Sequence, residues 1–263
     1  MKRVIIVAAA LLMAAGNAMA FTTYGHQAIA CLANKYLTEQ AKSEVKTILN
    51  STMEKECVWL NTLRKKPEFA HTKDWHFFQL NENGKSVTTN ENDGIVQLEK
   101  AIAVLRNRKN ENKESVVNAL RTVIHLVGDM HCISHVRIEG VDDSYGFTFY
   151  HWNELEGKRR RDWKSSWYSH WQGGYLRRYS IFTPEYYSYD IDVYGKPLKA
   201  AYEKGEPRFW VANVGEDVVR TLKDISNGET VPTNVIQTYE FLHTKCLVKA
   251  GYRLAALLND IFK

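Results

Sequence analysis

Residues 125–135 read HLVGDMHCISH, and they end the longest run of helical apolar spacing in the chain, from Glu114 to Val136. This spacing predicts one long helix, because the apolar residues recur at intervals of three and four. On that helix His125 and Asp129 share a face, which is typical of a metal site. Buried polar groups are costly unless they are paired or bound to metal, so core histidines without a ligand role are the weaker interpretation.

The two remaining histidines of this segment would lie elsewhere on a continuous helix. His135 would lie about 15 Å beyond His125 along the axis, at roughly 1.5 Å per residue. It could therefore bind only a second, separate ion. His131 would lie on another face of the helix, where a packing role or a hydrogen bond to a ligand is expected.

Two upstream segments also contain potential ligands. The sequence FTTYGH runs from Phe21 to His26, and a free α-amino group at Phe21 could chelate zinc together with the carbonyl of the same residue. Further on come Trp59, Arg64 and the run Trp75-His76-Phe77, in which His76 could be a buried ligand and Arg64 a phosphate contact. Taken singly, each segment is more often structural.

The amino group of Phe21 is free only if residues 1–20 are removed. Lys2 and Arg3 precede an apolar run over residues 4–15, and Ala18-Met19-Ala20 is a small-x-small cleavage site, which is the pattern of a secretory signal peptide. The apolar run is shorter than the roughly 20 residues of a membrane-spanning helix, so we expect no stable membrane anchor. We predict a signal peptide at 1–20, one domain at 21–263, and a secreted or periplasmic protein.

The domain is predicted to be all-α, a single compact and monomeric unit. Helical spacing recurs in several stretches: Gly25–Tyr36, Ile95–Leu105, Phe209–Ile225 and Val235–Phe262. Thr38 fits the N-cap of another helix that ends near Leu49. Aromatic alternation over Tyr145–Tyr150, followed by a charged stretch, predicts an inserted β-hairpin or a long aromatic loop.

Charge and cysteine content leave several possibilities open. The net charge of +5 is only mildly basic and is weak evidence for a nucleic-acid partner. The four cysteines, Cys31, Cys57, Cys132 and Cys246, permit two disulfides with three possible pairings, or buried free thiols.

Together, the segments resemble the S1/P1 nuclease family, which shares its fold with zinc-dependent bacterial phospholipases C. That family opens with W-G-x-x-G-H or a close variant, continues with W-x-D-x-x-R and W-H-Y/F, and then has H-x3-D-x-H-x3-H and L-H-x-x-W-D. The matching residues occur in the same order: Phe21 with His26, Trp59 with Arg64, Trp75-His76-Phe77, and His125, Asp129, His131 and His135.

The resemblance implies up to three zinc ions. One would be held by the residue at position 61, His76, His125 and Asp129. A second would be held by the amine and carbonyl of Phe21, by His26 and by Asp129 as a bridge. The third would be held by His135 with a His and an Asp from the last motif. The resemblance also makes Asn61, Arg64 and Asp129 the catalytic positions.

The sequence departs from the family at two of these sites. Asn61 replaces an aspartate, and a neutral amide is a weaker zinc ligand than a carboxylate. The last motif is replaced in each of its possible alignments: Lys164 and Tyr168, Tyr168 and Gln172 if anchored on Trp171, or Phe149 and Asn153 if anchored on Trp152. The third site loses two ligands each time, so fewer than three zinc ions are expected.

The resemblance therefore predicts a zinc-dependent phosphodiesterase that cleaves single-stranded nucleic acid or 3′-nucleotides, with an incomplete metal cluster. Two alternatives stay open: an inactive homologue that binds nucleic acid or another ligand, and a phospholipase C-like hydrolase. Arg160, Trp167 and Tyr168, together with Arg64, are expected to contact the substrate, because basic and aromatic residues suit single strands. A charged hairpin over an aromatic core explains the same residues equally well.

Overall fold

The computed structural model describes residues 21–138, 141, 145–153, 158–174, 176 and 181–263. The expected signal peptide, residues 1–20, lies outside this description. The α-helices of the described residues are α1 (Thr23–Tyr36), α2 (Glu39–Leu49), α3 (Met53–Glu56), α4 (Trp59–Leu63), α5 (Gly94–Arg106), α6 (Lys113–Asp129), α7 (Trp167–Ser169), α8 (Pro184–Asp190), α9 (Lys196–Glu203), α10 (Pro207–Asp224) and α11 (Thr233–Ile261).

Short 3₁₀ segments, a π-helical turn and short strands lie between these helices. The 3₁₀ segments are Pro67–His76, Arg108–Asn110 and Ile133–His135, and His170–Gly174 forms a π-helical turn. The strands are β1 (Phe78–Leu80), β2 (Ser86–Val87), β3 (Val136–Arg137), β4 (Gly146–Asn153), β5 (Lys158–Ser166) and β6 (Thr230–Val231). The all-α prediction is confirmed for the described residues.

The ends of the predicted helices follow from local capping. The side chain of Thr38 accepts a hydrogen bond from the backbone N–H of Ala41 at 3.2 Å, which starts α2 as predicted. The Asn112 side chain accepts one from the N–H of Ser115 at 2.9 Å and starts α6. These caps satisfy N–H groups that have no partner inside the helix.

The core forms around α1, α6 and α11. Helix α11 packs against α1, α6 and α9, and α5 packs along α6. The close approach of α11 to α1 depends on Gly251, where a Cβ atom would lie 2.7 Å from Cδ2 of Leu32. Every residue of α6 from Thr122 to Asp129 is buried, so His125 and Asp129 are held inside the protein.

Helix α6 ends at Asp129, seven residues before the predicted end at Val136, so the prediction of one continuous helix was wrong. The cause is the imidazole of His131, whose Nδ1 lies 2.7 Å from the carbonyl oxygen of Val127. That carbonyl is the acceptor that the backbone N–H of His131 would need in a continuing helix. The N–H of His131 instead donates to Gly128 at 3.0 Å, and the chain turns.

Two small sheets lie among the helices. In the first, of order β2-β1-β3, Phe78 pairs in parallel with Val136. In the second, β4 and β5 form an antiparallel hairpin and β6 pairs in parallel with β4. The inserted element is therefore a β-hairpin, one of the two forms expected. No helix among the described residues has the length and the apolar character needed to cross a membrane.

Candidate metal centre

Four buried side chains meet at the C-terminal half of α6. They are His26 from α1, His76 from the end of a 3₁₀ segment, and His125 and Asp129 from α6, and each is at most 1% exposed. Among the described residues, His26, His125 and Asp129 form the one group of potential metal ligands, with ligand atoms all within 4.8 Å of one another. Four of the six residues that the resemblance assigns to two neighbouring ions are thus brought together.

Asp129 is the hub of the group. Its Oδ2 lies 2.7 Å from Nδ1 of His76 and 3.2 Å from Nε2 of His125. Its Oδ1 lies 3.2 Å from Nε2 of His26. Both oxygens of one carboxylate therefore face imidazole nitrogens from three elements, which is the placement a bridging ligand needs.

The orientation of His125 is fixed by the backbone. Its Nδ1 donates to the carbonyl oxygen of Cys57 at 2.5 Å, which leaves Nε2 as the nitrogen that faces Asp129. Metal-binding imidazoles usually hold their second nitrogen in this way. The ring also stacks on His26, with centroids 4.2 Å apart.

Nδ1 of His26, Nε2 of His76 and the amide of Asn61 are buried polar groups with no hydrogen-bond partner within the described part of the chain. Among the described residues, Nε2 of His26 and Oδ1 of Asp129 have only their mutual contact at 3.2 Å, which is not directed as a hydrogen bond. Leaving a buried polar group unpaired costs about 1–3 kcal/mol. Imidazole nitrogens and a carboxylate are the donors that Zn²⁺ prefers, so this set fits a zinc ion.

The protonation states suit a metal site. Burial lowers the pKa of His26 and lowers that of His76 to about 4, and the charges of His125 and Arg64 add to the effect. Burial alone would raise the pKa of Asp129, but the neighbouring histidines hold it well below its usual value. Neutral imidazoles and an ionised carboxylate are the forms that bind metal near neutral pH.

Three further predicted residues border the group. Asn61 is buried on α4, which packs against α6 and against the 3₁₀ segment that ends at His76. Arg64 follows α4 and is half-buried, and its charge reaches both His26 and His76. Phe21 is fully buried, with its ring centroid 6.3 Å from that of His26.

His135 lies apart from this group. Its ring contacts two aromatic rings, Phe77 at a centroid distance of 5.0 Å and Tyr168 at 5.3 Å, and these two rings lie 6.1 Å from each other. Its Nδ1 donates to the carbonyl oxygen of His76 at 2.6 Å. Because Tyr168 lies beside His135, the structure favours the two alignments of the last family motif that include Tyr168.

The expected substrate contacts are mostly buried. Trp167 and Tyr168 are 3% and 8% exposed, and Trp167 packs edge-on against Tyr145 and Trp171. This favours the interpretation of an aromatic core beneath a charged hairpin. Arg160 belongs to β5, and its side chain lies outside the part of the chain that the structure describes.

Sequence reasoning did not identify Arg253, which reaches the same region from α11. Its Nη1 lies 2.8 Å from Nε2 of His131. The pair is separated by 122 residues, so no local motif could connect them. The one available signal was a charged residue inside the apolar pattern of α11.

Comparison with known proteins agrees with the geometry. The sequence model of the family described as S1/P1 Nuclease matches residues 21–263. The chain is also similar to Nuclease S1 of Aspergillus oryzae. The two are 22% identical over an alignment of 289 positions, which covers 99% of this chain and 98% of that protein.

Proposed function

The chain belongs to the S1/P1 nuclease family, and we propose that it is a secreted, zinc-dependent phosphodiesterase that acts on single-stranded nucleic acid or 3′-nucleotides. The observation that carries this proposal is the convergence of His26, His125 and Asp129, whose ligand atoms lie within 4.8 Å of one another in a fully buried position. The family is one of nucleases, and a buried group of imidazoles and a carboxylate suits metal-assisted hydrolysis of a phosphate ester.

The ligands would come from residues already close together. His26, His76, His125 and Asp129 would hold zinc, with Asn61 and, after removal of residues 1–20, the amine of Phe21 as further donors. When bound, zinc supplies Lewis-acid polarisation of the phosphate and lowers the pKa of water. Asn61 and the stacked His135 support a centre with fewer than three ions.

The chain's own residues would orient the phosphate. Arg64 is half-buried beside the histidines and can donate two parallel hydrogen bonds to phosphate oxygens. Asp129 keeps its negative charge at working pH, because the histidines hold its pKa well below the usual value. As the anionic member of the centre, it would orient the imidazole groups.

A second candidate function is ligand binding without turnover. The observation that favours it is Asn61, a neutral amide where the family has a carboxylate, because a weaker ligand set binds metal less tightly. A protein of this kind would still bind single strands near Arg64, and it would cleave none of them.

The test compares metal content and hydrolysis in one preparation. The chain beginning at Phe21 is dialysed and its zinc is counted, and it is then assayed on single-stranded DNA, RNA, 3′-nucleotides and phosphatidylcholine. We expect bound zinc and hydrolysis of the nucleic-acid substrates. Hydrolysis of phosphatidylcholine alone would favour the phospholipase alternative, and bound zinc without any hydrolysis would favour ligand binding.

A matched pair of variants makes the assay specific. His125→Ala removes a residue of the centre, whereas His71→Ala removes an exposed histidine five residues before His76. Loss of zinc and activity in the first variant and not in the second supports the proposal. Gel filtration of the same preparation tests the expected monomer, and mass analysis of the exported protein tests cleavage before Phe21.

A further inference from the structure

A buried polar network joins α11 to the end of α6, outside the candidate metal ligands. It contains Arg253 and Lys249 from α11, Asp217 and Asn213 from α10, and His131. His131, Asp217, Lys249 and Arg253 are at most 3% exposed. Buried charges of this kind are retained only when their hydrogen-bonding groups are well satisfied.

Arg253 is the member that reaches α6. Its Nη1 donates to Nε2 of His131 at 2.8 Å, its Nε to the carbonyl oxygen of Tyr202 at 2.9 Å, and its Nη2 to Oδ1 of Asn213 at 3.1 Å. One planar guanidinium therefore binds acceptors from three parts of the fold at once. The rigid geometry of its donors fixes these parts relative to one another.

His131 passes this constraint to the end of α6. Its Nδ1 donates to the carbonyl oxygen of Val127 at 2.7 Å, so Nε2 must be the acceptor for Arg253. Its backbone N–H donates to Gly128 at 3.0 Å, and that of Cys132 donates to Asp129 at 2.9 Å. The imidazole thus sits inside the turn that begins at Asp129.

We propose that Arg253 is a positioning residue for the metal centre: by holding His131, it fixes the turn after Asp129 and so the angle at which that carboxylate meets His26, His76 and His125. This inference rests on the proposed function, because it requires that these residues bind metal. Removing residues that orient metal ligands typically weakens metal affinity by about 10- to 100-fold.

Lys249 provides the matched comparison. It lies one turn before Arg253 on the same helix and is equally buried, and its Nζ donates to Asn213 at 2.9 Å and lies 3.4 Å from Asp217. These bonds join α11 to α10. If the network served stability alone, loss of either cation would destabilise the fold and neither would change the zinc affinity of the folded protein.

The experiment measures zinc affinity by competition with a chromophoric chelator, in parallel with thermal unfolding of the metal-free chain that begins at Phe21. We expect Arg253→Met to raise the zinc Kd by about 10- to 100-fold. Lys249→Met should lower the melting temperature and leave the Kd unchanged. Arg253→Lys should recover part of the affinity, since an ammonium can still donate to His131.

His131→Phe gives an independent test, because it keeps a ring and removes both nitrogens. We expect it to raise the Kd as Arg253→Met does, and the double variant to add little, since both act through one contact. If Arg253→Met does not fold, Arg253→Lys and His131→Phe decide the question. Unchanged Kd values in the Arg253 and His131 variants, or an equal effect of Lys249→Met, would overturn the inference. A parent chain that binds no zinc would instead overturn the proposed function.

Discussion

The ring of Tyr168 lies against the ring of His135, with centroids 5.3 Å apart and planes inclined by 27°. Phe77 also lies against this imidazole, inclined by 12°, and its ring centroid is 6.1 Å from that of Tyr168. An aromatic residue therefore lies beside His135 where a third zinc site would need a second ligand. Nε2 of His135 is buried without a hydrogen-bond partner among the described residues, but Phe77 and Tyr168 lie beside the ring in place of further ligands, so we predict that His135 retains no zinc through dialysis.

We expect His135→Ala to leave the zinc content unchanged and His125→Ala to lower it. Elemental analysis of the two dialysed variants beside the parent protein measures the difference. Loss of an ion from the His135→Ala protein would show that His135 is a ligand despite its stacking.

Asn61→Asp should strengthen zinc binding. The variant places a carboxylate where a buried amide has no hydrogen-bond partner among the described residues. We expect the zinc Kd to fall by about tenfold or more, which corresponds to roughly 1.4 kcal/mol. Asn34→Asp, an exposed change of the same charge on α1, is the control. An equal effect of both changes would mean that overall charge is responsible and that Asn61 is not at the site.

Gly128→Ala should disturb the centre through His26. A Cβ atom at Gly128 would lie 2.7 Å from Nδ1 of His26, so the imidazole must move. We expect loss of zinc together with a destabilisation of about 1–3 kcal/mol.

Gly251→Ala is the control for this prediction, because its Cβ would also meet a neighbour at 2.7 Å, the side chain of Leu32. It should destabilise the protein by a similar amount without loss of zinc. Equal zinc content in the two variants would contradict the expected effect on His26.

The metal-free protein should lose stability in mild acid. Burial lowers the pKa of His76 to about 4, and those of His135 and His243 to about 3. In the unfolded chain these histidines take up protons near pH 6.5. The free energy of unfolding is therefore highest above that pH and falls as the pH drops towards about 4. The free energy of unfolding can fall by about 1.4 kcal/mol per pH unit for each histidine.

Denaturant unfolding across this pH range measures the effect. His243→Phe should make the slope shallower, because it removes one of the groups that titrates only after unfolding. A stability that does not change with pH would contradict the predicted neutral state of these histidines.

The amine of Phe21 can be tested by extending the chain by one residue. A protein that retains Ala20 has a peptide nitrogen at Phe21, which is a poor zinc ligand, so we expect it to bind zinc more weakly. One residue added after Lys263 is the matched control. Equal zinc affinity of the two extended proteins would exclude the terminal amine as a ligand.

Periodicity predicted the long helices well, because α1, α5, α10 and α11 each bury one apolar face. It missed α8 and α9, which are short. It also placed the end of α6 beyond Asp129, because the spacing of apolar residues does not reveal the competing hydrogen bond from His131 to Val127. Side chains that compete with backbone donors are a general limit of such predictions.

The candidate site was predictable where ligands recur at helical spacing, as for His125 and Asp129. His26 and His76 were candidates within their own segments, but only the resemblance to a family joined them to α6, since nothing local brings α1 to α6. The bond between Arg253 and His131 lay beyond both methods, because it depends on how α11 packs and not on any motif.

The parallel pairing of Phe78 with Val136 has a consequence for sequence divergence. One strand begins two residues after His76 and the other directly after His135, and the ladder between them uses main-chain atoms, which every residue except proline can supply in full. Mutations at the paired positions can therefore accumulate without changing the separation of the two histidine backbones. In this way a chain that is 22% identical to Nuclease S1 can hold these two histidine backbones at a fixed separation while its side chains diverge.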